Sequence, residues 1–186
     1  MIIGLTGSYC SGKDTIADFL VSKYGFKHFS LSDIIRGEMS LHNIEPTREN
    51  LITFGANLRS NNGNSVLAEK VLAKISDGNF CITSIRHPDE VEFLRKRKDF
   101  VLVNVDADKN LRFARMQTRN RAGDPKTIEK FIELEKRESQ SEGSGQQLTK
   151  TAAAADITFL NNSTDKEILN SEIAHLLEQI KISQRH

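Results

Sequence analysis

Residues 4–15 read Gly-Leu-Thr-Gly-Ser-Tyr-Cys-Ser-Gly-Lys-Asp-Thr, and this stretch decides the fold of the 186-residue chain. It satisfies the pattern G-x-x-x-x-G-K, with Gly7 and Gly12 as the two glycines and Lys13 as the lysine. Glycines at this spacing let the backbone curve into a cup of inward-pointing N–H groups, and the lysine adds a charge that reaches nucleotide phosphates. An apolar strand pattern precedes the stretch and an amphipathic helix pattern follows it. The cup therefore ends at a helix N-terminus, which favours anions.

The sequence thus predicts a phosphate-binding loop that holds ATP. The residues assigned to it are Gly7, Ser8, Tyr9, Cys10, Ser11, Gly12, Lys13, Asp14 and Thr15. Asp14 departs from the usual pattern, because it stands where Ser or Thr commonly binds Mg²⁺. Carboxylate and hydroxyl oxygens both suit Mg²⁺, and an anion beside a triphosphate is unfavourable without the metal. We therefore expect strict Mg²⁺ dependence, with either Asp14 or Thr15 as the protein ligand.

Short apolar runs alternate with amphipathic helical patterns along the whole chain. The runs that predict strands are residues 1–6, 27–30, 80–85, 100–105 and 156–160. Strands of near-continuous apolar sequence separated by helices are typical of parallel sheets covered on both faces. We predict one α/β domain over residues 1–186, with a five-stranded parallel sheet in the middle of three layers.

Three segments carry local signals of helix starts or loops. Thr164 and Glu167 form a predicted capping box at the start of the last helix. Asp124-Pro125 predicts an N-cap followed by a proline in the first turn of another helix. Residues 139–147, which are rich in Gly, Ser and Gln, predict a flexible connection.

Composition narrows the class of protein. A net charge of +1, from 26 basic and 25 acidic residues, gives no electrostatic argument for nucleic-acid or membrane partners. Cys10 and Cys81 are far apart and lack metal-ligand spacing, so we expect reduced thiols and a cytoplasmic location. We expect no signal peptide, and no apolar run approaches the ~20 residues of a membrane span. The oligomeric state stays open.

Two classes of nucleotide-binding protein do not fit the sequence. Neither the DxxG nor the NKxD motif of GTPases occurs in the chain. The strand predicted at residues 80–85 lacks the carboxylate that mechanical ATPases place at a second metal-binding strand end. Arginines instead follow several strands and helices, and guanidinium groups bind phosphate bidentately. Phosphoryl transfer depends mainly on such positioning and charge neutralisation.

The chain resembles the P-loop nucleoside-monophosphate kinases, especially the small nucleotide kinases related to dephospho-CoA kinase and adenylate kinase. Besides the loop, the similar segments are Ser-Leu-Ser-Asp-Ile-Ile-Arg at 30–36, Thr-Ser-Ile-Arg at 83–86, the arginine-rich stretch at 115–124, and residues 156–164. The resemblance implies acceptor-binding helices over about 31–77 and a short helical lid over about 115–145, without a zinc-binding cysteine cluster. Thr83 is a departure, because these kinases often have an aspartate there.

The resemblance also implies roles for single residues. Asp33 and Arg36 would face the acceptor, and Arg86 would hold the acceptor or the transferring phosphate. The lid arginines, Arg119 and Arg121, would act in catalysis together with Lys13 and Arg86. Asn161 and Asn162 would lie beside the adenine.

Arg48 and Arg59 are further candidate acceptor contacts, on a predicted helix pair. Taken alone, each of these two arginines, like Arg36, is more often a solvated residue on a helix surface.

These features predict an ATP- and Mg²⁺-dependent phosphotransferase whose acceptor is a small nucleotide-like molecule, foremost a (deoxy)nucleoside monophosphate. Two alternatives stay open. One is a dephospho-CoA kinase, whose acceptor is a ribose hydroxyl. The other is a nucleotide-binding regulatory module without catalysis, which the departures at Thr83 and Asp14 would accommodate.

Overall fold

The computed structural model describes residues 1–120, 124–139 and 142–184. Its elements in chain order are β1 (Ile2–Thr6), α1 (Lys13–Tyr24), β2 (Lys27–Ser30), α2 (Leu31–Leu41), α3 (Arg48–Asn62), α4 (Val66–Leu72), β3 (Phe80–Thr83), α5 (Pro88–Leu94), β4 (Phe100–Asp106), α6 (Lys109–Arg119), α7 (Ile128–Ser139), α8 (Leu148–Ala153), β5 (Ile157–Leu160) and α9 (Lys166–Ser183). Within these ranges, no helix has the length and apolarity needed to cross a membrane.

The described strands form one parallel sheet in the order β2-β3-β1-β4-β5. This confirms the predicted five-stranded α/β fold. Strand β3 ends at Thr83, two residues earlier than predicted, because Ser84 adopts φ 63 and turns the chain out of the sheet. Since all strands run in one direction, the loops after β1, β3 and β4 share one edge of the sheet, where α/β proteins bind ligands.

Successive side chains along the strands are buried alternately in two separate apolar layers, one on each face of the sheet. In β1, Ile2 packs with helices α2, α4 and α5 on one face of the sheet. Its neighbour Ile3 packs with α1 and α9 on the other face. The same alternation separates Phe100 from Val101 in β4. The helices therefore cover both faces, and the predicted three layers are confirmed.

Two predicted helix starts are wrong. Helix α9 is capped by Asp165, whose carboxylate accepts hydrogen bonds from the N–H groups of Glu167 and Ile168, so Thr164 is not the cap. Helix α7 begins at Ile128 rather than at Asp124-Pro125, with the Thr127 hydroxyl accepting from the N–H of Lys130. In each case a second good N-cap residue stands nearer to the helix and takes the position.

Candidate active site

The loop between β1 and α1 requires both of its glycines. Gly7 has φ 125 and Gly12 has φ 97, angles that residues with a side chain rarely adopt. A Cβ atom on Gly7 would lie 2.0 Å from the carbonyl oxygen of Val105, and one on Gly12 would lie 2.1 Å from Nδ2 of Asn161. Strand β4 and the turn after β5 thus press directly against the loop and set its curvature.

Backbone strain continues at Cys10, in the middle of the loop. Cys10 adopts φ 55 without being glycine, a conformation that persists only where surrounding contacts hold it. Burial raises the pKa of its thiol, so this cysteine is neutral at pH 7. The loop is therefore held in a shape that its own sequence does not prefer, as binding loops often are.

Asn161 holds the loop from the side of β5. Its side chain is 1% exposed, and Nδ2 donates a 2.7 Å hydrogen bond to the carbonyl oxygen of Ser11. Asn162, predicted beside it, instead accepts from the N–H of Asp108 at the start of α6. The two asparagines therefore have different partners, and Asn161 is the one of the two that contacts the loop.

Arg115 lies next to Asn161 and was not assigned a role of its own. Its Nη2 donates to the carbonyl oxygens of Asn161 and Ser163, both at 3.1 Å. Its Nη1 is buried without a hydrogen-bond partner among the described residues, and burial lowers the pKa of Arg115. A buried guanidinium nitrogen in this state favours an acceptor supplied by a ligand.

Lys13 folds back over the loop. Its ammonium donates to the carbonyl oxygens of Gly7 at 2.9 Å and Ser8 at 2.6 Å, and to Oγ of Ser11 at 3.2 Å. Burial, followed by the charge of Arg86, lowers the pKa of Lys13 to about 8. The charge is thus costly in the free protein, and an anion in the loop would stabilise it.

This pKa predicts how ATP affinity depends on pH. Bound phosphates favour the charged ammonium, so binding above pH 8 must draw in a proton. We expect ATP affinity to fall by up to about tenfold per pH unit above pH 8, with uptake of nearly one proton per ATP at pH 9. Calorimetry in buffers of different ionisation enthalpy measures both quantities.

Lys13→Arg is the matched control for the pH experiment, because arginine stays charged throughout this range. Its affinity should show no decline between pH 8 and pH 9.5. A flat profile in the unmodified protein would contradict the assigned pKa.

Asp14 and Thr15, the predicted metal ligands, are both exposed in the first turn of α1. Burial lowers the pKa of both Lys13 and Arg86, and the carboxylate of Asp14 partly opposes this change, so it lies within electrostatic reach of the two cations. Among the described residues no group of three or more His, Cys, Asp or Glu side chains could hold a metal alone. The oxygens of Asp14 and Thr15 fit Mg²⁺, because this ion binds one or two protein oxygens and completes its coordination shell with phosphates and water.

Two predicted acceptor arginines meet at the loop residue Tyr9. Arg86 donates from Nη1 to the Tyr9 hydroxyl at 3.0 Å. The guanidinium of Arg48 lies 4.1 Å from the ring centroid of Tyr9. Burial and then Arg86 lower the pKa of Arg48 to about 10, and burial lowers the pKa of Arg86. The fold therefore brings Lys13, Arg48 and Arg86 together at a cost that an anion would offset.

Helix α6, whose C-terminal end lies in the predicted lid, reaches this group through Asp124. Arg119, at the end of α6, donates from Nη2 to both carboxylate oxygens of Asp124 at 2.9 Å. Arg48 lies 3.7 Å from the same carboxylate, whose side chain is 10% exposed. Asp124 therefore joins the end of α6 to the start of α3, a contact that its prediction as an N-cap did not indicate. Arg121, the other predicted lid arginine, lies outside the described residues.

Asp33 and Arg36 pair with each other at 3.1 Å near the start of α2, and both are substantially exposed. Arg36 also donates to Oγ of Ser32 at 2.9 Å. The hydroxyls of Ser30, Ser32 and Ser84 lie within 3.4 Å of one another. These three serines, the serine cluster below, connect the start of α2 to the turn after β3.

Arg59 does not join the arginines at Tyr9. Its guanidinium is 3% exposed and donates from Nε and Nη2 to Oε1 of Glu90 at 3.0 and 2.8 Å. Because this ion pair is buried inside the protein, we no longer assign Arg59 to acceptor binding.

Gln146, which the sequence places in a predicted flexible connection, is buried in the structure and contacts Arg86. Its Oε1 accepts from Nη1 of Arg86 at 2.8 Å, and its side chain is 7% exposed. The N–H of Gln147 donates to the carbonyl oxygen of Arg86 at 2.9 Å. Only the change from Gly and Ser to two adjacent amides, just before α8, could have indicated this docking.

Comparison with solved structures shows which fold the chain has. A shikimate kinase from Bacteroides thetaiotaomicron aligns with a TM-score of 0.65 at 17% identity, over 97% of this chain and 98% of that one. A shikimate kinase from Aquifex aeolicus gives 0.57 at 16% identity, over 98% and 99%. A gluconokinase from Sinorhizobium meliloti gives 0.51 at 13% identity, over 97% and 95%. The chain has the fold of the P-loop kinases, which confirms the predicted resemblance at the level of the fold.

Sequence comparison identifies the family. A family model described as an AAA domain matches residues 6–131. A UPF0200 protein from Hyperthermus butylicus is 32% identical over 183 residues, which cover 97% of this chain and 95% of that protein. A UPF0200 protein from Thermococcus kodakarensis is 31% identical over 188 residues, covering 97% and 98%. The chain belongs to the UPF0200 family and to the AAA-domain family whose model it matches.

Proposed function

We propose that this protein is an ATP-dependent phosphotransferase that moves the γ-phosphoryl group of ATP to a small anionic acceptor. A (deoxy)nucleoside monophosphate is the acceptor that we favour. In this reaction an acceptor oxygen bonds to the γ-phosphorus while the bond to the β-phosphate oxygen breaks, releasing ADP. Mg²⁺, held by Asp14 or Thr15 and the phosphates, would neutralise part of the phosphate charge.

The observation that carries the proposal is the convergence of Lys13, Arg48 and Arg86 on the loop, with the pKa of each lowered by burial. Burying several positive charges close together is unfavourable, so a bound phosphate would stabilise the group. Lys13 lies over the loop that would hold the ATP phosphates. The two arginines lie at Tyr9, towards helix α3, where the acceptor would bind. Charge on both sides of the loop supports an anionic donor and an anionic acceptor.

Further contacts support nucleotide binding on the opposite side of the loop. Nη1 of Arg115 has no hydrogen-bond partner among the described residues, and Nη2 of the same guanidinium donates to Asn161, which itself contacts the loop. In our proposal this side receives the nucleoside of ATP. The free thiols of Cys10 and Cys81 suit a reducing compartment, and we propose the cytoplasm as the location.

A second acceptor type, with a hydroxyl as the attacking group, is favoured by the serine cluster. Ser30, Ser32 and Ser84 present hydroxyls that could bind a hydroxylated small molecule. Two of the structural neighbours are kinases named for shikimate. Dephospho-CoA belongs to this second type, since its acceptor group is a ribose hydroxyl.

A coupled assay of ADP release tests the proposal. The purified protein with Mg·ATP is offered ribonucleoside and deoxyribonucleoside monophosphates, dephospho-CoA and shikimate in parallel. We expect ADP release that depends on one or more nucleoside monophosphates and stops when EDTA removes Mg²⁺. Turnover with dephospho-CoA or shikimate alone would replace the favoured acceptor by the hydroxyl type. Tight ATP binding without acceptor-dependent turnover would instead indicate a nucleotide-binding regulatory module.

A further inference from the structure

Glu90 is a fully buried carboxylate in the first turn of α5, and it contacts both the bend after β3 and helix α3. Its Oε2 accepts from the N–H groups of Arg86 at 2.8 Å and His87 at 3.1 Å. Its Oε1 accepts from Nε and Nη2 of Arg59 at 3.0 and 2.8 Å. Four donors therefore surround one carboxylate, which satisfies a buried charge that would otherwise be very unfavourable.

The bend that Glu90 holds is strained and carries Arg86. Ser84, two residues before Arg86, adopts φ 63 without being glycine. A backbone in that region persists only where neighbouring contacts fix it. The carboxylate of Glu90 supplies two such contacts, at the N–H groups of Arg86 and His87, two and three residues after Ser84. The direction in which Arg86 leaves the bend therefore depends on Glu90.

The Arg59 end of the Arg59–Glu90 ion pair lies in helix α3, on the side of the loop where we place the acceptor. Arg59 belongs to helix α3, which begins at Arg48, and Arg48 lies against Tyr9. The buried pair Arg59–Glu90 thus connects one helix to the bend, while both Arg48 and Arg86 contact the same tyrosine. Gln146 adds a second contact, because its Oε1 accepts a hydrogen bond from the guanidinium of Arg86 itself.

We propose that Glu90, neutralised by Arg59, is a positioning residue that aims Arg86 at Tyr9 and at the phosphates bound beside it. The part of this inference that concerns bound phosphates rests on the proposed function. The aim of Arg86 at Tyr9 can be measured in the free protein.

Tyr9 provides a direct reporter of Arg86. The chain contains two tyrosines and no tryptophan, so Tyr24→Phe leaves Tyr9 as the single fluorescent side chain of its kind. In that background we compare Arg86→Ala, the pair Arg59→Met with Glu90→Met, and all three changes together. The paired change avoids leaving one buried charge without the other, and buried ion pairs often tolerate apolar replacement.

The expected result is non-additive. The paired change should alter Tyr9 emission in the same direction as Arg86→Ala. In a protein that already carries Arg86→Ala, the paired change should have no further effect, so the triple variant should match Arg86→Ala alone. Additive changes, or unaltered Tyr9 emission in the paired variant, would overturn the proposal. Should the paired Met variant fail to fold by circular dichroism, Arg59→Met with Glu90→Gln replaces it. That variant keeps one acceptor for the bend, and we expect an intermediate change in emission.

The matched control is the pair Glu38 and Lys70, a partly exposed ion pair of 2.7 Å that joins α2 to α4. Replacing both by Met should leave Tyr9 emission unchanged. A change as large as that of the Arg59–Glu90 pair would show that the reporter responds to general loosening, and would overturn the proposal.

A second arm measures binding of a non-hydrolysable ATP analogue with Mg²⁺. Arg86→Ala and the Arg59–Glu90 pair should each weaken it by roughly tenfold or more, again without additivity. Absence of binding by the unmodified protein would refute the proposed function, while the fluorescence arm would still decide the positioning role.

Discussion

Lys13→Ala is expected to reduce phosphoryl transfer by about a thousandfold or more while leaving the fold intact. The ammonium reaches Gly7, Ser8 and Ser11 of the loop through three hydrogen bonds, so it lies where the phosphates would bind. When Lys13 is replaced, water or a small backbone movement can satisfy the oxygen atoms that accept hydrogen bonds from its ammonium in the free protein. The folded state therefore loses little, whereas the transferring phosphoryl group loses its nearest full positive charge.

Steady-state kinetics with the acceptor found in the screen measures this effect, and circular dichroism checks the fold. Lys23→Ala is the matched control, because Lys23 lies exposed in the last turn of the same helix. We expect its activity to stay within about twofold of the unmodified protein. Substantial activity in Lys13→Ala would refute the assigned role of the loop.

Arg86→Ala is expected to give the second largest loss, on the order of a hundredfold to a thousandfold in kcat/KM. Arg86 contacts Tyr9 and Gln146 and is the second cause, after burial, of the lowered pKa of Lys13. It therefore lies close to the point where donor and acceptor would meet. Arg86→Lys should recover only a small part of the loss, because lysine cannot bind phosphate bidentately.

Measurement of kcat and KM for both substrates separates binding from transfer in the Arg86 variants. Arg97→Ala serves as the control, since Arg97 forms a partly exposed pair with Asp99 at 3.0 Å. Its activity should be nearly unchanged, since such exposed pairs contribute little. Full recovery by Arg86→Lys would contradict the bidentate role and leave only a requirement for charge.

The fold was largely predictable because its signals are local. The apolar runs that became β1 and β4 and the glycines at 7 and 12 act over a few residues, so a single sequence carries them. Helix starts were less certain, because Thr164 and Asp165 are adjacent and both suit an N-cap. Asp165 is the one that the structure uses.

The candidate site was predictable only in part, because much of its support is nonlocal. Arg59 and Glu90 are separated by 31 residues, and Arg86 and Gln146 by 60. No spacing rule connects such pairs, so Arg59 looked like a free acceptor contact and Gln146 like part of a linker. Arg86 itself was found from its position at a strand end and from the family resemblance.

Transfer of label from ATP carrying ³²P in the γ-phosphate tests the central claim most directly. The reaction is run with each acceptor of the screen, on the unmodified protein and on Lys13→Ala side by side. We expect the unmodified protein to place one label in the acceptor for each ADP released, and Lys13→Ala to place almost none. Label appearing only as inorganic phosphate, or equal transfer by both proteins, would contradict it.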